Sequence, residues 1–299
     1  MKTQINYLII FTFAFCLFTF AFTSCVSWEP GWKLYSETKS QKNSEILLNK
    51  AAELEKSADS KEKVQDLINT YKEVTEADPS NIFAMWKIGN YNILMGAAYA
   101  EKKKERKMHY MEAVEYCEKA MYLNPEFKKK VDSGIEVWDA CDVLGENEIN
   151  AMGYWYTAIF YYFKECLSVM GRVFNTKLVI HNEIVMNRID EIDPNWAGGG
   201  NYFSRGIYYV AVPKKFGGSK EKAAECFAKA IEVGPEYMVN HWGRAKYLYA
   251  ITGNKKGYID DLNWVLGQNP PDKGNPYPWN VYFQRQADMM LKNIDKTFK

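Results

Sequence analysis

The residues that could do chemistry are few and poorly grouped. The three histidines, His109, His181 and His241, stand far apart. No HExxH or HxxxH pairs them, and none lies at a metal-ligand spacing from a cysteine. Gly217-Gly218-Ser219-Lys220 has the composition of a phosphate loop, but that loop needs Gly-Lys-Ser/Thr after a strand. Here the order is Ser-Lys, and Ser219 reads as the N-cap of a helix over Ala223–Val233. Ala197-Gly198-Gly199-Gly200-Asn201 lacks the GxGxxG spacing and reads as a turn opening a helix. Asp260 and Asp261 are adjacent, so on a helix they diverge by ~100° and cannot share one face. GxSxG is absent. The sequence thus assigns no catalytic residue, no metal ligand and no cofactor, and recognition is the chemistry left to it.

The elements that would position a recognition surface are helical. Proline clusters at boundaries, at Pro79, Pro125, Pro194, Pro235 and Pro270, and no segment shows period-2 alternation. Even Leu178-Val179-Ile180, the best strand candidate, continues a helical stripe through Val185, Ile189 and Ile192. Four segments end alike, at Asp78-Pro79, Asn124-Pro125, Asp193-Pro194 and Gly234-Pro235. Ala113, Ala120 and Pro125 stand at the same offsets as Ala223, Ala230 and Pro235. This resembles the second helix of a tetratricopeptide (TPR) repeat, where small residues admit close helix approach and Pro ends the helix. Ile88-Gly89 and Gly206 mark the matching first helices. Two units carry insertions, one a loop around Glu101–Lys107 and one at Val212–Gly218, the charged Glu101–Lys107 run itself reading as a solvated loop or a helix end. The expected fold is all-α, a TPR-like helical hairpin array in one compact domain over residues 41–299. Between the units, Ala151–Phe163 is apolar or aromatic on all faces and reads as a central, surrounded helix.

A TPR-like array presents the first helix of each unit along a concave surface. On or near those helices, or on the central one, lie Trp86, Asn90, Trp155, Tyr202, Arg205, Trp242, Arg244 and Tyr247. They are the ligand- or partner-binding candidates. Arg205 and Arg244 either grip a ligand carboxylate in bidentate fashion or pair with local acids. The Trp and Tyr residues serve either as ligand platform or as core. Aromatic residues concentrate around Tyr154–Phe163 and Trp242–Tyr249, which makes those segments both core and candidate ligand path.

The first residues form a separate unit. Met1–Gln4 carries one charge, Lys2, and Tyr7–Phe22 is apolar except for Thr12 and Thr19. This reads as a secretory signal peptide over residues 1–24. Its end, Phe22-Thr23-Ser24-Cys25, resembles the lipobox of bacterial lipoproteins, which implies acylation of Cys25 and a lipidated tether over residues 25–40. Val26 and Ser27 follow, without the Asp that suggests inner-membrane retention, so the outer membrane is favoured. No later apolar run reaches ~18 residues, so the membrane contact is expected through the lipid alone.

The chain has 38 Lys+Arg against 37 Asp+Glu, and Lys2 leaves with the signal peptide. A neutral chain argues against nucleic acid as partner. At 47% hydrophobic residues the composition supports a well-buried core and excludes disorder. Of the six cysteines, Cys117, Cys141, Cys166 and Cys226 remain once Cys16 and Cys25 are set aside. Two disulfides, or four buried free thiols, fit the pattern equally.

Several features together resemble the TatT family, the T components of tripartite ATP-independent periplasmic (TRAP) transporters. They are the lipobox, the TPR-like units, the aromatic Tyr154–Tyr162 helix, and Val212-Pro213-Lys214-Lys215-Phe216-Gly217-Gly218-Ser219-Lys220-Glu221-Lys222-Ala223 followed by Phe227-Ala228-Lys229-Ala230-Ile231. Asp193-Pro194 and the helices over Asp260–Leu266 and Asn280–Leu291 also match. Arg244-Ala245-Lys246-Tyr247 departs from the small-then-acidic pair of that family. The resemblance implies a periplasmic lipoprotein, a homotrimer, and partnership with a periplasmic substrate-binding protein that carries small hydrophobic or organic-acid ligands. The alternative is a TPR-like protein–protein interaction scaffold in the cell envelope.

Overall fold

The structure, a computed structural model, describes residues 26–34, 40–271 and 274–298. Cys25 and the expected signal peptide lie outside the described residues. Among the described residues there is no strand. The helices are α1 (Ser44–Glu55), α2 (Lys61–Ala77), α3 (Ile82–Leu94), α4 (Lys103–Tyr122), α5 (Pro125–Asp132), α6 (Val137–Ala140) and α7 (Ile149–Cys166). After them come α8 (Val169–Phe174), α9 (Lys177–Ile180), α10 (Asn182–Ile192), α11 (Trp196–Ala211), α12 (Lys220–Val233) and α13 (Met238–Gly243). The chain ends with α14 (Ala250–Thr252), α15 (Lys255–Leu266), α16 (Tyr277–Lys292) and α17 (Ile294–Thr297). π-helical turns over Met95–Tyr99 and Arg244–Tyr249 extend α3 and α13.

Local chemistry sets the helix starts. Asn81, Asn124, Ser219 and Asn254 each accept a backbone N–H of the first turn they precede. The proline-marked ends hold as well: α2, α4, α10 and α12 stop just before Pro79, Pro125, Pro194 and Pro235. The helices pair as hairpins, α1 with α2, α3 with α4, and α11 with α12, while α15 packs on both α13 and α16. Small residues permit the close approaches. A Cβ on Gly89 would stand 2.5 Å from Cys117 Sγ, and one on Gly206 would stand 2.9 Å from the Phe227 ring. Ala113, Ala120, Ala223 and Ala230 are fully buried at the same interfaces.

One expectation fails here. The charged run at Glu101–Lys107 is not an inserted loop. Helix α4 begins at Lys103, and the π turn lengthens α3 to Tyr99, so only Ala100–Lys102 connect them. Lys103 and Lys104 point to water on the first turn, where charge carries no burial penalty.

Helix α7 packs on α3, α4, α9 and α10 and buries residues around most of its circumference. The Gly-rich start of α11 is a kink that needs left-handed backbone: Ala197, Gly198 and Gly199 have φ of 51°, 63° and 85°. Asn240 fixes it, its Nδ2 donating to the carbonyls of Gly198, Ala230 and Gly234 at 2.9, 2.9 and 3.0 Å. All four downstream cysteines are free thiols.

Residues 26–34 lie against this body. Trp28 Nε1 donates to Glu118 Oε1 at 3.1 Å, and the Gly31 N–H donates to Glu118 Oε2 at 2.6 Å. Trp32 stacks on Tyr122 with ring centroids 5.6 Å apart. Glu118 also receives Trp155 Nε1 at 3.1 Å. Burial pushes its carboxyl up to about 7, against the opposing pull of these three N–H donors.

Candidate functional site: an aromatic cavity between the hairpins

Helix α7 presents Tyr154, Tyr156, Phe160, Tyr161 and Phe163 to one side, and α11 presents Phe203, Ile207 and Tyr208 opposite. Trp242 and Tyr247 from the third unit, and Trp279 and Phe283 from α16, complete a cavity of about 630 Å³. That size falls in the ~300–1,000 Å³ range of small-molecule pockets. The walls are overwhelmingly apolar, so a ligand's body would be held by burial and ring contacts. Trp242 packs with Phe283 at 5.0 Å and Trp279 with Phe283 at 5.6 Å between centroids, so the aromatic wall is supported from behind.

Polar groups in the walls are sparse. Asn90 Oδ1 accepts the indole N–H of Trp279 at 2.7 Å. An indole only donates, so this bond fixes the amide orientation and turns Nδ2 away as a donor. Asn90 Nδ2 and Trp242 Nε1 are both buried, and neither has a hydrogen-bond partner among the described residues. Two such orphan donors in an apolar wall are costly unless an acceptor meets them. Tyr156 is satisfied, donating to Asn201 Oδ1 at 3.0 Å.

Two ammonium groups stand over rings of this wall. Lys246 Nζ lies 4.4 Å from the Trp242 ring and 5.6 Å from the Tyr247 ring. Lys164 Nζ donates to the Tyr247 hydroxyl at 3.1 Å. Burial, with repulsion from Lys164 added, pulls Lys246 down to about 8. Burial also lowers Lys164, against the nearby Glu165.

The chain matches the TAtT family model, TRAP transporter T-component, over residues 90–298. It belongs to that family. The TRAP T-component match begins at Asn90 and covers every residue that lines the cavity. Comparison with curated proteins finds no match. Among solved structures the T-component chain is similar to TTC0263, a thermophilic TPR protein in Thermus thermophilus. That likeness has a TM-score of 0.53 at 12% identity and covers 84% of this chain and 100% of the other. It establishes the TPR-like all-α fold.

The sequence candidates divide sharply around the T-component cavity. Asn90, Trp242 and Tyr247 line it. Trp86 stands one layer behind, stacked on Tyr154 at 5.6 Å. Trp155 turns the other way, to Glu118. Tyr202 is half-buried on α11 and outside the lining. For the two arginines the structure realises local pairing. Arg205 bonds Glu183 at 3.0 Å, Asp190 at 2.6 Å and Asn187 at 2.9 Å, all on α10. Arg244 makes a bidentate pair with Asp261 at 2.8 and 2.7 Å, and His241 Nδ1 joins the same carboxylate at 2.9 Å. Burial alone would push the Asp261 carboxyl up, but Arg244 and His241 together hold it below the usual range. Both guanidinium forks are therefore occupied in joining helices.

Trp279, Phe283 and Trp196 are cavity residues that spacing did not single out. Trp279 lies 189 residues from its partner Asn90. No local periodicity carries that pairing. The available signal was compositional, an aromatic cluster at Tyr277–Phe283 in an otherwise polar C-terminal segment.

Proposed function

We propose that this TRAP transporter accessory component is a lipid-anchored, non-enzymatic envelope protein. It docks a periplasmic substrate-binding protein and binds or passes a small hydrophobic or organic-acid ligand through the aromatic cavity. The observation that carries the ligand reading is the cavity of about 630 Å³ with its aromatic, apolar wall. Such a wall suits a small molecule with a largely apolar body. Family membership supports the transporter association and an envelope location. Among the described residues no helix is long and apolar enough to cross a membrane, which agrees with attachment through lipid on Cys25. Attachment to the periplasmic side of the outer membrane and assembly as a homotrimer belong to the same proposal.

The test is equilibrium binding between the purified chain and a candidate periplasmic substrate-binding protein. Association is expected well below ~100 μM, and none at that concentration overturns the docking reading.

A second reading draws on a different surface. A cleft of about 670 Å³ runs between α1–α3 and Pro271, Asn275, Pro276 and Tyr277, with Lys87 and Glu55 paired at 2.8 Å in its wall. A TPR-like scaffold gripping a peptide would use this cleft. Loss of peptide binding on substituting Lys56 or Asn49, with the cavity untouched, would favour it.

A further inference from the structure

Helix α8 is built inside out. Its four large apolar residues are the exposed ones: Val169 is 68% exposed, Met170 60%, Val173 59% and Phe174 45%. At ~100° per residue these positions fall within about 140° of arc, a single face. The helix buries no residue at all. Its one charged side chain points inward, with Arg172 Nη1 donating to the Lys164 carbonyl at 3.2 Å. A contiguous apolar face of this kind on a small helix calls for a partner.

The N-terminal chain indicates which partner. Asn175, fully buried, caps the end of α8, its Nδ2 donating to the Gly171 carbonyl at 2.7 Å. Its Oδ1 accepts the backbone N–H of Val26 at 2.6 Å. Val26 packs on the core, and Trp28 and Gly31 are tied to Glu118. Cys25 is the residue before Val26, and one peptide unit spans only ~3.8 Å. The residue expected to carry the lipid is thus one peptide bond in sequence from Val26, which Asn175 holds at the end of α8.

Charge points the same way. From Leu167 to Asn182 the chain has two basic residues, Arg172 and Lys177, and no acidic one. With Arg172 turned inward, Lys177 is the exposed charge of this segment, and with no acidic side chain in it the segment is compatible with an anionic lipid surface.

The geometry points to α8 as a membrane-apposition face: Val169, Met170, Val173 and Phe174 rest in the interfacial layer of the bilayer that receives the Cys25 lipid. This inference rests on the lipid anchor of the proposed function. It adds that the anchor is a fixed point, so the body meets the membrane in one orientation rather than swinging on a tether. Apolar side chains of an interfacial helix settle ~5–10 Å into the headgroup–acyl boundary.

The test uses the acylated mature protein bound to vesicles of phosphatidylethanolamine and phosphatidylglycerol. Val173→Cys, on α8, and Met289→Cys, on the exposed face of α16, are each made with Cys226→Ala. A membrane-impermeant maleimide then reports accessibility, and flotation reports anchoring. The expected result is flotation, with labelling at 173 ~tenfold slower than at 289, as interfacial burial requires. The chain without acyl groups should label equally at both positions. Flotation with equal labelling overturns the apposition face and leaves the anchor standing. Failure to float overturns both. Slow labelling at 173 in the acyl-free chain also overturns the inference, because a protein surface would then be covering α8.

Discussion

The side-chain carbonyl of Asn90 accepts the indole N–H of Trp279 at 2.7 Å, joining α3 to α16 across 189 residues of sequence. This bond closes the cavity wall and orients the amide so that Nδ2 is left a donor without a partner among the described residues. Asn90→Ala is expected to destabilise the fold by about 1–3 kcal/mol, because it strands a buried indole N–H. In the Trp279→Phe background the same change should be milder. A double-mutant cycle in urea checks this, with a coupling of about 0.5–3 kcal/mol expected and a coupling near zero ruling the bond out as a structural tie.

Glu118 links the N-terminal segment to α4 and α7, and its carboxyl is pushed up to about 7 by burial. Its folded pKa lies above its unfolded value of 4.5, so the folded state binds the extra proton between those limits. Its contribution to stability is then complete below pH 4.5 and is lost as pH rises through about 7. The loss amounts to about 3 kcal/mol at one kcal-scale step per pKa unit. Glu118→Gln should flatten this slope. It should also speed hydrogen exchange at Gly31, since Gln offers one carbonyl where three N–H groups need acceptors. Melts of the two proteins between pH 5 and pH 8 read the first effect, and an unchanged slope in the variant would remove Glu118 as its source.

The two arginines should behave differently. Asp261 is only 3% exposed, so Arg244→Ala leaves a buried carboxylate with His241 as its remaining partner. A loss of about 3–5 kcal/mol is expected. Arg205→Ala breaks pairs with more exposed partners, and about 1 kcal/mol is expected. Thermal melts rank them. Ligand affinity of the folded Arg205→Ala protein should be unchanged, since its guanidinium is occupied by α10.

Gly89→Ala tests the close approach of α3 and α4. The added Cβ would stand 2.5 Å from Cys117 Sγ and 3.3 Å from the Ala113 carbonyl. The gain in helix propensity is about 1 kcal/mol, and overpacking costs about 1–3 kcal/mol, so net destabilisation is expected. Cys117→Ala removes the nearer atom. Gly89→Ala should therefore be less harmful in that background, and equal harm in both would place the strain at the Ala113 backbone.

Much of the architecture was legible because it is local. Ser219 and Asn124 cap helices through bonds two or three residues long, and Pro79, Pro125, Pro194 and Pro235 end them by ring geometry. The matched offsets of Ala113–Ala120 and Ala223–Ala230 express one helix face at two places, so the repeat could be read without knowing what it packs against. The charged run at Lys103–Lys107 misled because exposed Lys and Glu are equally compatible with loop and helix.

The sequence by itself determined the helical class, the repeat boundaries, the absence of a ligating or catalytic spacing, and the aromatic wealth of Tyr154–Phe163. Only the tertiary structure decided what those side chains meet. It turned Trp155 toward Glu118 and Trp242 toward the cavity, gave Arg205 and Arg244 to carboxylates on neighbouring helices, and set Asn90 against Trp279. It also left the apolar face of α8 outward beside Val26. The physical reason is range. Capping, proline and helical periodicity act within a turn or two, whereas a cavity is a surface shared by α3, α7, α11, α13 and α16, whose residues become neighbours only when the hairpins stack.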